Sequence, residues 1–147
     1  MKFEFSAGGV VYKPIRQAQG KNDLLILVSQ HSGHHGWVFP KGLIGDSIKN
    51  EKKEETAVRE VEEETGVLAR IVKPLTPAIY WYMWEKEKRK KTVYYFLMEY
   101  ISEDSSKKDE EMEQVEWLPI KEVEKRLTYK SDKDVWKEAR KFIVHGS

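Results

Sequence analysis

The sequence predicts an α/β (α+β) protein, a mixed sheet with helices on both faces, and three features point that way. Leu24 to Gln30, LLILVSQ, is a short continuous apolar run of the kind found in a strand buried on both faces. Ala57, Val58, Val61 and Thr65 recur at helical spacing and form one apolar stripe that would lay a helix against a sheet. Further strand-like segments and then two helical ones follow to the end of the chain, and helices on both faces of one mixed sheet are the simplest packing for them.

In chain order, Phe3 to Lys13 reads as a strand, bent where Gly8-Gly9 tolerates a bulge or a close backbone approach. KPIRQAQGKND has the composition of a loop, and Leu24 to Gln30 is the central strand. After the loop HSGHHG, Trp37 to Phe39 forms a short strand stopped by Pro40, which has no N–H to donate. Asn50 is the expected N-cap of a helix starting near Glu51, and Gly66 is its natural terminator. Val67 to Leu75, Ala78 to Glu85 and Thr92 to Ile101 read as strands, with EKEKRKK as a charged hairpin turn. SEDSSKKDEEME reads as a solvated loop, Glu116 to Pro119 ends a further strand, and Ile120 to Leu127 and Asp132 to Val144 show helical spacing.

At 147 residues and 39% hydrophobic content, one domain over 1–147 is expected, able to bury about two-thirds of its unfolded surface. Twenty-six basic against 25 acidic residues give a net charge of +1, so bulk charge argues against stable nucleic-acid binding. The absence of cysteine excludes a disulfide framework, a thiolate metal site and a thiol nucleophile. No apolar stretch approaches about 18 residues, so no membrane partner is expected. The N-terminus lacks the pattern of a secretory signal. These features give the expectation of a cytoplasmic monomer or homodimer.

The chemistry concentrates where the helix ends. Glu60, Glu62, Glu63 and Glu64 precede Gly66, although carboxylates are unfavourable at a helix C-terminus and like charges at i,i+4 repel by about 0.2–0.5 kcal/mol per pair. Glu60 and Glu64 are such a pair, and no Lys or Arg stands between Glu60 and Gly66. Glu60, Glu63 and Glu64 span an arc of about 100° beside the apolar stripe. Such hard oxygen ligands suit Mg²⁺ or Mn²⁺, and Mg²⁺ is commonly completed by waters and substrate phosphates. A polyphosphate is the expected substrate, the cation neutralising it and lowering the pKa of an attacking water. Lys41 is a candidate phosphate contact, as is Arg59 unless a carboxylate holds it.

Gly45, Glu51, Arg59-Glu60-Val61, Glu63-Glu64 and Gly66-Val67 match the pattern G-x5-E-x7-R-E-U-x-E-E-x-G-U, with U aliphatic, at every specified position. On these residues the chain resembles the Nudix hydrolases, with AGGVVY, WVFPKG and EWLPIKEVEKRLTY extending the likeness over most of its length. The resemblance implies an α/β/α sandwich with Glu60 and Glu64 as principal Mg²⁺ ligands. It implies Glu63 as a direct or water-mediated ligand or as base, an Arg59–Glu51 ion pair as a brace, and the Gly42 carbonyl as a further ligand. Family members usually open the pattern with the glycine of Pro-Lys-Gly. Here Gly42 falls three residues too early and Gly45 fits instead, so the loop to Glu51 is lengthened and either glycine is a candidate for the carbonyl.

WVFPKG, IYWYMW, KKTVYYFLMEY and the Leu-Thr-Tyr before the last helix look most like the asymmetrically cleaving diadenosine tetraphosphate hydrolases. That likeness makes Tyr82, Tyr94 and Tyr129 candidates for stacking adenine, and places His34 or His35, with His35 as the candidate carried forward, near the polyphosphate. It also suggests that one of Glu110, Glu111 and Glu113 joins the site. Pyrophosphohydrolysis of oxidised nucleoside triphosphates and a non-catalytic nucleotide-sensing module are the alternatives. Against these stand plainer readings: core packing for most aromatics, an exposed polar loop for the histidines, and a solvated hairpin for Lys86, Lys88, Arg89, Lys90 and Lys91, whose alternative is steering a polyanion.

Overall fold

The computed structural model describes residues 1–16, 22–45 and 47–145. Among the described residues, eight strands and three α-helices follow in the order β1 (Lys2–Arg16), β2 (Asn22–His31), β3 (Trp37–Val38), β4 (Lys41–Leu43), α1 (Lys53–Thr65), β5 (Val67–Pro74), β6 (Ala78–Trp84), β7 (Glu87–Glu103), β8 (Met112–Pro119), α2 (Ile120–Arg126) and α3 (Lys130–His145). The strands form one sheet with path β3-β2-β1-β7-β5, to which β4 adds on β1, β6 on β7 and β8 on β2. β1 and β7 run parallel from Lys2↔Arg89 to Tyr12↔Glu99, and the other pairings are antiparallel, which makes the sheet mixed.

Alternation along the central strands sorts their side chains onto two cores. Val10, Ile26, Val28, Tyr95 and Leu97 pack with Val123, Val135, Trp136 and Ala139 of α2 and α3. Val11, Leu27, Phe96 and Met98 pack with Ala57 and Val61 of α1. Helices therefore cover both faces, as the periodicity indicates. Gly8 and Gly9 mark a close approach: Gly9 N–H donates to the Pro40 carbonyl at 3.1 Å, and a Cβ on Gly8 would fall 2.1 Å from that oxygen. The β1–β7 register runs unbroken through both glycines.

Several boundaries differ from the sequence reading. α1 begins at Lys53 rather than near Glu51, because Asn50 adopts φ +62° in a turn and Lys52 takes the N-cap position. Glu55 accepts the Lys52 N–H at 3.1 Å, satisfying one exposed donor of the helix start. Gly66 closes the helix in the left-handed conformation, φ +79°, with its N–H on the Glu62 carbonyl at 2.8 Å. EKEKRKK does pass through a hairpin, between β6 and β7, but the turn is shorter than the run. Only Glu85 and Lys86 turn, at φ +48° and +64°, and β7 begins at Glu87 because β1 and β6 pair with it on its two sides. Lys13 to Arg16 continue β1 and Asn22-Asp23 open β2, while residues 17–21 of the expected loop lie outside the described residues. β8 likewise starts at Met112, inside the stretch read as loop.

Candidate metal and polyphosphate site

α1 carries its carboxylates from the packed face toward a cleft of about 800 Å³. Glu60, Glu63 and Glu64 line it together with Glu4, Tyr82, Arg89 and Lys91. Lys41 and Gly42 of β4 lie in its wall. Burying Ala57 and Val61 fully also buries Glu60 and Glu64, which are 7% and 2% exposed, whereas the Glu63 side chain is 43% exposed. Burial, followed by the negative charge of Glu111 and Glu60, holds Glu64 well above the ordinary carboxylate range despite the opposing effect of Lys41. The Lys41 N–H bonds Glu64 Oε1 at 3.2 Å.

The guanidinium of Arg59 organises the remaining acids. Nε and Nη2 grip Glu51 at 2.8 Å each, while Nη1 reaches Glu60 at 2.9 Å and both oxygens of Glu63 at 3.0 Å. The positive charge offsetting the crowded helix end is therefore present at the head of the carboxylate run, and Arg59 is committed to carboxylates instead of phosphate. Glu51 also accepts from Thr56 Oγ1 at 2.7 Å, and the hydrogen bonds of Arg59 foremost hold its pKa below the ordinary value.

The two candidate glycines part company here. A Cβ on Gly42 would lie 2.1 Å from the Glu60 carboxylate, so Gly42 is a direct neighbour of the acids. Gly45 turns at φ +79° with only the Ile48 carbonyl oxygen near where a Cβ would sit, 3.9 Å away, and its backbone helps keep the Glu51 carboxyl ionised. It supports the brace and does not line the cleft.

A divalent cation fits this donor set in its chemistry. The donors are all oxygen, and Glu64 is almost fully buried with a single backbone N–H as its hydrogen-bond donor. Among the described residues, no three His, Asp or Glu side chains are already gathered at metal-holding positions, since Glu60 and Glu63 lean on Arg59.

A second pocket, about 480 Å³, opens from the same region and shares His34, Val38, Lys41, Tyr80 and Tyr129 with the cleft. Tyr129 is in both pockets and Tyr82 is in the cleft with its hydroxyl on Glu4. Tyr94 is not. It belongs to the α1-side cluster with Lys53 Nζ 4.7 Å above its ring, one residue out of phase with Tyr95, which lines the second pocket. His35 is also displaced from its expected place: at φ +59° it turns toward Glu113, 3.3 Å away, and His34 lines both pockets instead.

Arg89 and Lys91 are the cleft cations hidden in the run read as a solvated hairpin. Alternation sends them to the cleft while Lys88 and Lys90 lie over Trp81 on the opposite face. Burial and the charge of Lys41 lower the pKa of Lys91. Reading the alternation through Glu87–Lys91 would have revealed both. Tyr80 and Asp132 were also missed. Asp132 is 4% exposed at the start of α3, accepting from Phe39 N–H at 3.3 Å and Tyr95 Oη–H at 3.4 Å.

A mixed sheet between helices, with a carboxylate-bearing helix opening on a cation-lined cleft, defines a fold of the Nudix class. The chain matches the NUDIX domain over residues 8–143. It belongs to the Nudix hydrolase family. It is 35% identical over 143 residues to a Mycobacterium tuberculosis protein that carries the name mutator protein MutT4, covering 95% of this chain and 56% of that one, so the chain spans little more than half of that relative. It is 30% identical over 122 residues to the asymmetrical bis(5′-nucleosyl)-tetraphosphatase of Sus scrofa, covering 80% of this chain and 79% of that protein. The NUDIX domain of Shewanella oneidensis NrtR, solved with ADP-ribose, superposes with a TM-score of 0.72 at 19% identity, covering 97% of this chain and 90% of that one. No helix among the described residues is long and apolar enough to cross a membrane.

Proposed function

We propose that this protein is a cytoplasmic hydrolase that uses Mg²⁺ or Mn²⁺ to cleave a phosphoanhydride of a nucleoside polyphosphate, with diadenosine tetraphosphate, split to ATP and AMP, as the preferred substrate. The observation that carries this is the meeting, in one cleft, of the acids Glu60 and Glu64 and the cations Lys41, Arg89 and Lys91, continuous with a pocket bordered by Tyr80 and Tyr129. A base stacked beside the tyrosines would leave its polyphosphate running past Lys41 toward the acids.

Glu60 and Glu64, with Glu63 and the Gly42 carbonyl, would hold the cation, which when bound supplies neutralisation of phosphate charge and a lowered pKa for water. Lys41, Arg89 and Lys91 balance the remaining negative charge. Glu111, which faces Glu64 and is not held by Arg59, accepts a proton from the attacking water. The water oxygen bonds to phosphorus, the bridging P–O bond breaks, and the leaving nucleotide departs with its phosphate oxygen. Arg59 and Glu51 hold the helix and touch no substrate.

Hydrolysis of oxidised nucleoside triphosphates is the second reading, since a triphosphate would present the same phosphoanhydride to Glu60, Glu64 and Lys41 in this cleft. Incubation with diadenosine tetraphosphate and with dGTP and its 8-oxo form, with chromatographic resolution of products, separates the two. ATP plus AMP is expected; turnover of triphosphates alone would reject the substrate assignment. A nucleotide sensor lacking catalysis is the third reading, and it has no missing carboxylate of the family pattern in its favour.

A further inference from the structure

The loop after β2 holds two histidines in an arrangement that the proposed chemistry does not yet use. The His31 and His34 rings stack at 4.3 Å with planes 6° apart. The Gly33 N–H donates to His31 Nδ1 at 2.9 Å, so neutral His31 carries its proton on Nε2, and that nitrogen faces Glu111 Oε1 at 3.5 Å. His34 is secured in turn by the Gly36 N–H at 2.9 Å and by Tyr129 Oη at 3.0 Å from its Nδ1.

Glu111 is anchored from behind. Its carbonyl accepts from Ser32 N–H at 3.1 Å and Ser32 Oγ–H at 2.8 Å, and its own N–H donates to Asp109 Oδ1 at 3.0 Å. The Asp109 N–H reaches the Glu63 carbonyl on α1 at 2.7 Å. The β2–β8 register also shifts between Gln30 and His31, leaving Glu113 unpaired and presenting Glu111 and Met112 to the cleft. With its backbone tied at three points, the Glu111 carboxylate has one side chain within ion-pair distance among the described residues, His31.

We infer that His31 is a positioning residue: stacked on His34 and fixed in its Nε2–H tautomer, it aims the Glu111 carboxylate across the cleft at the water to be deprotonated. The assignment rests on the hydrolase reading above and adds to it the group that orients its base. It also links the two pockets, because the Tyr129 ring that borders the base pocket secures the ring stacked on His31.

The test is steady-state kinetics on diadenosine tetraphosphate, or on whichever polyphosphate the wild type turns over. His31→Ala should lower kcat by about 10–100-fold, the range seen when an orienting partner is lost, with KM nearly unchanged. His31→Gln, which restores an N–H near the Nε2 position, should recover most of the rate. Glu111→Gln should cost at least as much as His31→Ala, and the double variant His31→Ala/Glu111→Gln should be no slower than Glu111→Gln alone. Losses that multiply in the double variant, or a His31→Ala enzyme with wild-type kcat, would overturn the inference. A wild type inert to every polyphosphate would instead reject the hydrolase reading. In that case ¹⁵N shifts of the His31 ring decide the pairing: an Nε2–H tautomer displaced by Glu111→Gln supports it, and an unperturbed ring overturns it.

Discussion

Arg59 and Glu51 form a two-pronged ion pair, Nε to Oε2 and Nη2 to Oε1 at 2.8 Å each, with side chains only 15% and 3% exposed. Planar guanidinium and carboxylate match in such a fork, and removing one partner leaves the other charge buried. Arg59→Met should therefore destabilise the fold by about 3 kcal/mol in urea unfolding, and adding Glu51→Gln should restore part of that. Additive losses would show that the pair does not act as a unit.

The same pair sets an acid limb of stability. The folded-state pKa of Glu51 lies below its ordinary 4.5, so its contribution is present above pH 4.5 and is lost as pH falls through the folded value. Glu51→Gln should flatten that limb. Asp132 works in the opposite sense, because burial raises it above its ordinary 3.8: its contribution is complete below pH 3.8 and is lost as pH rises through the folded value. Urea midpoints measured between pH 3 and 7, taken as wild type minus Glu51→Gln and wild type minus Asp132→Asn, should show the two opposite slopes.

Gly42 and Gly45 should respond differently to alanine. At Gly42 the new Cβ meets the Glu60 carboxylate, so turnover should fall by more than tenfold with a small loss of thermal stability. At Gly45 the cost is positive-φ strain, about 1 kcal/mol, with turnover nearly preserved. Paired melting curves and rates on the two variants check this, and equal effects on activity would reject the distinction.

Arg89 and Lys91 should act on substrate binding. Arg89→Ala or Lys91→Ala should raise KM with a smaller change in kcat, and the KM of the wild type should rise with salt more steeply than that of either variant. Lys88→Ala, on the opposite face of β7, is the control expected to leave both parameters near wild type.

The carboxylate helix was legible because its information is local. The stripe from Ala57 to Thr65 sets which side is buried, and the spacing of Glu60, Glu63 and Glu64 then sets which side meets the cleft. Leu24 to Gln30 announced a central strand for the same reason. The start of β7 was not legible, since Glu87 to Lys91 looks like a solvated run, and it is strand only because Lys2 to Glu4 and Tyr80 to Trp84 pair with it. Tyr94 and His35 lie outside both pockets on finer grounds. One step along a strand reverses the face, and one positive φ in a loop turned His35 toward Glu113 and left the cleft to His34.

The most direct test of the central claim is turnover by Glu64→Gln beside its thermal stability and Mn²⁺ binding. Glu64 is almost wholly buried, lies beside Lys41 and is already disfavoured as an anion, so the neutral amide should keep the fold. The account predicts that wild type hydrolyses diadenosine tetraphosphate only with Mg²⁺ or Mn²⁺, and that the variant, with an unchanged melting temperature, binds Mn²⁺ more weakly and loses at least about 10²-fold in kcat. A well-folded variant with wild-type turnover would contradict it.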